Sequence, residues 1–563
     1  MLLISQLRAP GRATGTLGAQ RQTLGNADVS TPVPIDPTGK DVASVPGGLL
    51  IKALLRPEAH EPPEPAVQLL ETHISWILLA GERAYKIKKP VNLGFVDFST
   101  PELRARCCAE ELRLNRRLAP DLYLAVVPVH GPPAEARFHG DGPVIEMALM
   151  MRRFPQSALL PAALARAAVP AEAFIALAAR LAAFHARAAV AGPADPWGEP
   201  EAVCRPALAN LQVLEAAQLP TAVLDRPRLA RLQCWTQAEA QRLAPLFRQR
   251  KAAGRVREGH GDLHLGNLAL LNGRIEVFDC LEFSPELRWI DVISDLAFLA
   301  MDLEQRRLQE PAQQLLGHWL EASGDYDGLV LWPWYCVYRA LVRAKVTALR
   351  LAQAALPATE AEDLRRSLGA YLHWADSRTR RRAGALVITH GVSGSGKSHW
   401  ARRLAQRPGW LQLRSDVERK RRFGLWGEPQ DDLPPPDAAL LYSPQVSNWL
   451  YRERLLACSE AALAAGFSVV VDATFLRRAD RQLYRALAGR LDVRFAVLAC
   501  ACDEPQARLR LESRRRQGQD PSDADDDVLT RQLAEIEPID AEERQTMGPV
   551  VEASEEGLNE LAD

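Results

Sequence analysis

The sequence predicts two folded parts in series, an α+β domain followed by an α/β domain built on a parallel sheet. Three features carry this prediction. The chain has 563 residues, too many for one ordinary hydrophobic core. Its first two thirds run from short strand-like segments into Ala- and Leu-rich helical ones. Its last third alternates strand and helix around the Gly-rich loop GVSGSGKS, residues 391–398.

The elements follow in order. Residues 1–47 are rich in Gly, Thr, Pro and Ala, with Arg8, Arg12 and Arg21 and no acid before Asp28. They read as a disordered N-terminal extension, with a transit peptide as the alternative. Periodic structure begins at GLLIKALLRP, and SWILLAGERAYKIKKP reads as two strands joined at Ala80-Gly81-Glu82. STPELRARCCAEELRLNRRLAP has a Ser/Thr start, helical apolar spacing and a Pro stop. DLYLAVVPVHG and GPVIEMALMMRRF read as strands, 161–190 as helical, and RIEVFDC as a strand beyond a polar loop. Helices dominate from Asp291 to Asp376, which closes a first domain at 48–376. The basic break at 377–384 is the linker. A second domain spans 385–545, with strands at ALVITHG, SVVVDATF and VRFAVLACAC, and 546–563 is a short acidic tail.

Composition bounds the function. The chain is 47% hydrophobic and 25% charged, with net charge −1, so it has no bulk attraction to nucleic acid or membrane. No apolar run is long enough to span a bilayer. The nine cysteines contain no CxxC pair, and free thiols in a reducing cytoplasm are the simplest reading. Nothing in the sequence speaks to oligomeric state.

The loop HGDLHLGN, residues 260–267, sets Asp262 two residues after a His and Asn267 five after the Asp. Phosphoryl transfer needs a carboxylate to orient the attacking hydroxyl, ligands for magnesium, and a lysine to steady phosphates. Asp262 suits the first role and Asn267 with Asp279 (in VFDCLEF) the second. Lys86 in the A-x-K strand pattern suits the third, with Lys88 on the same strand face as its rival. Glu111, or Glu110, on the following helix is placed to pair with that lysine. Together these segments resemble the aminoglycoside-phosphotransferase-like branch of the protein-kinase-like fold over 48–376. The resemblance implies a strand-rich lobe, a helical lobe, ATP and Mg2+, a small-molecule hydroxyl substrate, and structural roles for Asp291 and Asp295. It departs from protein kinases in lacking a GxGxxG loop, whose place is taken by ETHISW, residues 71–76.

GVSGSGKS satisfies G-x-x-x-x-G-K-[ST] between an apolar strand and a helix. Gly391, Gly394 and Gly396 suit a loop whose N–H groups wrap phosphates, Lys397 the β- and γ-phosphates, and Ser398 magnesium. Asp472 ends a strand where a second magnesium-side acid belongs, and Asp416 follows a short strand. The arginine-rich segment with Arg510, Arg514 and Arg515 reads as a lid over ATP. These features resemble P-loop kinases of the polynucleotide-kinase, zeta-toxin-like and gluconate-kinase-like group over 385–545, which implies that Asp416 is the base or a substrate ligand.

The function expected is therefore an ATP-dependent phosphotransferase with two nucleotide sites, acting on small hydroxyl compounds. One alternative is a regulatory ATP-binding protein whose first domain binds ligand without chemistry. Another is a nucleic-acid end kinase, motivated by the basic runs RTRRR, ERKRR and SRRRQ but weakened by the near-neutral total charge.

Overall fold

The computed structural model describes residues 33–35, 47–94, 96–353, 356–380, 383–427, 438–517 and 522–562. The chain falls into two compact units. The first comprises residues up to 173, 188–305 and 334–379; the second comprises 174–187, 306–333 and 380 onward. The expected N-terminal extension lies outside the described residues except for Gly47 and the short strand β1 (Val33–Ile35).

In the first unit, β1 joins β2 (Val67–Glu71), β3 (Ser75–Ala80), β4 (Arg83–Lys88), β5 (Tyr123–His130) and β6 (Val144–Arg152) in one antiparallel sheet. The order is β1-β2-β3-β4-β6-β5. The two-residue turn Gly81-Glu82 sets the β3–β4 register, pairing Ala80 with Arg83. Alternation then sorts the side chains. Leu78, Tyr85 and Ile87 enter a core with Ile51 and Leu54 on one face. Ala84 packs with Leu70 and Ile77 in a separate cluster. The helix α1 (Pro101–Asn115) starts as predicted, with the Thr100 side chain capping Leu103 N–H and Pro at the first position.

Beyond a short strand β7 (Val256–Glu258), the loop 259–267 leads into a hairpin of β8 (Leu268–Leu271) and β9 (Arg274–Val277). Its turn is Asn272-Gly273, both at positive φ, the chemistry that a two-residue hairpin favours. A last strand, β10 (Trp289–Asp291), pairs with β7. Under the loop run α2 (Val292–Gln305) and α3 (Trp332–Leu351), whose Phe298, Met301, Val337 and Leu341 share one core with Leu229, Leu232, Leu368 and Leu372.

The second unit carries a wholly parallel sheet of β11 (Ala385–His390), β12 (Trp410–Arg414), β13 (Ser468–Asp472), β14 (Arg494–Ala499) and β15 (Val550–Glu552), ordered β12-β13-β11-β14-β15. The glycine-rich loop leaves the central strand β11 and enters α4 (Lys397–Ala405). The segment read as an acidic tail supplies the fifth strand and a closing helix, Glu555–Ala562. Val551, Leu558 and Leu561 are buried against Val387 and Leu498, so a few apolar residues at core positions outweighed the acidic composition.

Candidate active sites

In the first unit, Lys86 and Lys88 point from β4 toward α1. Lys86 Nζ donates to Glu111 Oε1 at 2.7 Å and to Asp279 Oδ1 at 2.8 Å. Lys88 Nζ lies 2.5 Å from Glu111 Oε2 and also pairs with Glu282. Glu111 is fully buried and grips both lysines. Glu110 instead meets Arg113 and Arg288. Of the alternatives left open by sequence, Lys86 is the lysine that joins the helix glutamate to Asp279. Burial pushes the Glu111 carboxyl up, but Lys86 and Lys88 outweigh it and hold the group at about 2. Glu282 was missed; burial raises its pKa despite Lys88. Its signal was a second acid in the same VFDCLEF segment.

The loop 260–267 is held from below. Asp295 accepts the N–H groups of His260 at 2.6 Å and Gly261 at 2.9 Å, and Asp302 accepts that of Leu265 at 3.0 Å. Arg339 Nη1 donates to the Gly261 carbonyl at 3.0 Å. Asp291 makes two bonds to Arg250, at 2.6 and 2.7 Å. Within the loop, Asn267 Nδ2 donates to both the carbonyl and Oδ2 of Asp262, at 3.0 and 3.1 Å. His264 Nε2 is 3.3 Å from the same carboxylate oxygen. The hairpin then brings Asp279 alongside: Phe278 N–H bonds the Asn267 carbonyl at 3.0 Å. Asp279 sits at φ +63°, a left-handed conformation uncommon outside glycine, and its N–H donates to the Tyr123 hydroxyl at 3.0 Å.

The residues fit a magnesium ion of the kinase type. Asn267 spends its amide N–H on Asp262, so its amide oxygen would be the atom turned to such an ion. Among the described residues no group of three or more His, Cys, Asp or Glu forms a metal cage. A magnesium ion held by one or two protein ligands and by phosphates needs none. At the place of a glycine-rich clamp, the turn after β2 closes on itself. Thr72 N–H bonds the Ser75 carbonyl at 2.8 Å, and Thr72 Oγ1 accepts from Ile74 and Ser75 N–H.

In the second unit the predicted residues gather at the carboxyl ends of the parallel strands. Gly394, Gly396, Lys397, Ser398, Asp416, Asp472 and Arg514 line a cavity of about 260 Å³, whereas Gly391 lies outside it and donates its N–H to the Thr474 carbonyl at 3.1 Å. Gly394 has φ +82°, and a Cβ there would lie 2.6 Å from the Ala507 carbonyl, so only glycine fits. Lys397 is folded onto its own loop, donating to the Val392 carbonyl at 2.7 Å, and burial lowers its pKa. Asp472 is buried and accepts from Gln412 Nε2 at 2.9 Å; burial raises its pKa. Asp416 opens the helix α5 (Ser415–Arg422) and pairs with Arg419. Burial pushes Asp416 up, yet Arg419, Ser522 and Arg514 together bring it below the usual carboxylate value. The two acids thus split, one toward the neutral form and one toward the charged form. On α6 (Glu504–Gln517), Arg510 and Arg514 line the cavity, whereas Arg515 is exposed and outside it. Sequence reading missed Tyr442 and Tyr451, which also line the cavity. Tyr451 shares a 2.9 Å hydrogen bond with Thr474.

Among the described residues, the basic runs ERKRR and SRRRQ are largely committed within the protein. Arg419 pairs with Asp416, Lys420 with Asp523 and Arg421 with Glu418, and Arg422 stacks on Trp449 at 4.2 Å. Arg514 donates to the Ala524 carbonyl and Arg516 pairs with Glu512.

Two family models match the chain. The one described as Phosphotransferase enzyme family covers residues 94–332, and the one described as AAA domain covers 386–539. The uncharacterized protein Rv2004c of Mycobacterium tuberculosis (strain ATCC 25618 / H37Rv) is 34% identical over 445 residues, spanning 78% of this chain and 84% of that protein. The chain belongs to this two-domain family. It joins a protein-kinase-like phosphotransferase domain to a P-loop domain of the α/β class. On these domains the protein is a nucleotide-binding transferase of the kinase type. Among solved structures, amicoumacin kinase hAmiN in complex with AMP-PNP, Ca2+ and Ami shares 18% identity, covering 58% of this chain and 92% of that one at a TM-score of 0.35. Chaetomium thermophilum Kti12 in complex with ADP-AlF3 shares 16% identity, covering 31% and 94% at a TM-score of 0.24. No helix among the described residues is long and apolar enough to cross a membrane.

Proposed function

We propose that the chain is an ATP-dependent phosphotransferase with two nucleotide sites, each of which phosphorylates a small hydroxyl-bearing compound. One observation carries the first site. Lys86 bridges Glu111 and Asp279, while the Asn267 amide fixes the Asp262 carboxylate. In this reading Asp262 orients the acceptor hydroxyl and takes its proton. Lys86 steadies the phosphates, with Glu111 holding it in place, and Asn267 and Asp279 hold Mg2+. The metal, when bound, neutralises charge on the transferring phosphate. In the second site Gly394, Gly396 and Lys397 cradle the phosphates while Gly391 only turns the chain into the loop, Ser398 and Asp472 hold Mg2+, Asp416 orients the acceptor, and Arg514 closes the site. Nine cysteines without a disulfide suit a reducing cytoplasm. The pairing of the basic runs favours a small molecule over a nucleic-acid end.

Asp262→Ala is expected to lower first-site transfer by about 10²–10⁴-fold, the usual range for a lost acid–base group. Asp279→Ala is expected to abolish metal-dependent nucleotide binding at that site. Titration with fluorescent ATP and Mg2+ in a Lys397→Ala background measures it, and unchanged binding rules out the assignment of Asp279.

A further inference from the structure

The stretch that carries Asp416 runs from the turn after α4 through β12 and α5. β12 is an edge strand, paired with β13. It is braced by the helix Gln309–Ser323. That helix falls within the span 94–332 of the phosphotransferase model and outside the span 386–539 of the AAA model, yet it belongs to the second unit. It meets the stretch at three places. In the turn, Gln313 Nε2 donates to the carbonyls of Ala405 at 2.5 Å and Arg407 at 2.7 Å and also to that of Trp410, while Gln313 Oε1 accepts the Gly409 N–H at 2.8 Å. At the end of β12, Arg414 Nη1 donates to Glu321 Oε1 at 3.1 Å. On α5, Arg421 donates to the carbonyls of Glu321 at 2.5 Å and Ala322 at 3.0 Å. Arg454 adds bonds of 2.7 Å to the Gly324 carbonyl and to Glu418 Oε2, and Glu418, two residues from Asp416, is only 1% exposed. Carbonyls at a helix C-terminus lack partners within the helix, and cations placed there also complement its dipole. Gly324 caps the helix at φ +69°, and a Cβ there would lie 2.5 Å from Arg421 Nε, so glycine is what lets the arginine close on the helix end.

We propose that Gln313 and Arg421 are positioning residues of the second site: they clamp the β12–α5 stretch along the helix Gln309–Ser323 and so hold Asp416 toward the acceptor, a role that rests on the reading of Asp416 as the residue that orients it. The second site is then a composite. Its phosphate-binding loop lies within 386–539, whereas the brace of its acceptor arm comes from residues within the span of the first family model. Gly394, Gly396 and Lys397 make none of the bonds to this helix, so loss of the brace falls on transfer and not on nucleotide binding. A misplacement of about 1 Å is enough to cost transfer about 100-fold.

The test uses the full chain carrying Asp279→Ala, so that nucleotide binding and turnover belong to the second site. The variants are Gln313→Met, Arg421→Ala and Arg421→Lys, with Asp416→Ala beside them. Amide exchange across residues 410–422 is read by mass spectrometry, affinity by fluorescent ADP with Mg2+, and turnover by ADP release from ATP with water or hydroxyl metabolites as acceptor. Gln313→Met and Arg421→Ala are expected to quicken exchange across 410–422, to leave ADP affinity within about twofold, and to lower kcat by about 10–100-fold. Arg421→Lys is expected to recover part of the loss, since a lysine still donates to the helix carbonyls. Where Arg421→Ala fails to fold, Gln313→Met reads the brace from its other end. Unchanged exchange in both variants, unchanged kcat despite quicker exchange, or loss of ADP binding together with kcat overturns the proposal. Turnover that is absent from the parent chain, or untouched by Asp416→Ala, removes the reading of Asp416 instead, and the exchange result then decides whether the helix holds the arm.

Discussion

Glu111 shows how one side chain sets a site's chemistry. It spends both carboxylate oxygens on two different lysines, so neither lysine is free to drift. Its ordinary value is 4.5 and its folded value about 2. Ionised Glu111 therefore adds its full stability above pH 4.5, and this is lost as pH falls from 4.5 toward about 2. Glu282 is shifted the other way, so its contribution is constant below 4.5 and does not oppose the effect in that window. Amide exchange in residues 83–88 and 101–115, corrected for intrinsic rate, is expected to quicken across this range. The Glu111→Gln variant is expected to show a flatter profile, and an equal slope in both proteins would assign the effect to other carboxylates.

At the scale of elements, short segments do most of the positioning. The β8–β9 hairpin places Asn267 before its first strand and Asp279 after its second, so twelve residues of sequence separation become adjacency. The signal was present in the sequence as Asn272-Gly273 between apolar runs, although the expectation recorded only the second strand. The C-terminal segment was misread for a different reason. Its acids are exposed, but Val551, Leu558 and Leu561 fall at core spacing, and composition hides such spacing. Leu558→Ala is expected to cost about 2–5 kcal/mol, as a buried leucine truncation does. The urea midpoint of fluorescent-ADP binding in an Asp279→Ala background measures it. An unchanged midpoint would return 546–563 to the status of a tail.

For the whole molecule, the two sites share a task but not a part: no residue assigned to one is assigned to the other. Lys397→Ala is therefore expected to leave the first product intact, and Asp262→Ala the second. Mass spectrometry on hydroxyl metabolites and a 5′-hydroxyl oligonucleotide reads both products at once. Loss of both products in either variant would point to one reaction that needs both domains.

Sequence by itself determined the two fold classes, because strand-then-helix order and a glycine-rich loop between strand and helix are local patterns. It also determined which residue types were available for phosphate chemistry, since Asp262, Asn267, Asp279 and Lys397 stand in short motifs. Tertiary structure decided the rest. It chose Glu111 over Glu110, because only the residue on the buried face of α1 reaches Lys86. It added Glu282, whose partner Lys88 lies 194 residues away in the chain. It also brought Tyr442 and Tyr451 into the second site, a fact that depends on how distant helices pack and that no local pattern records.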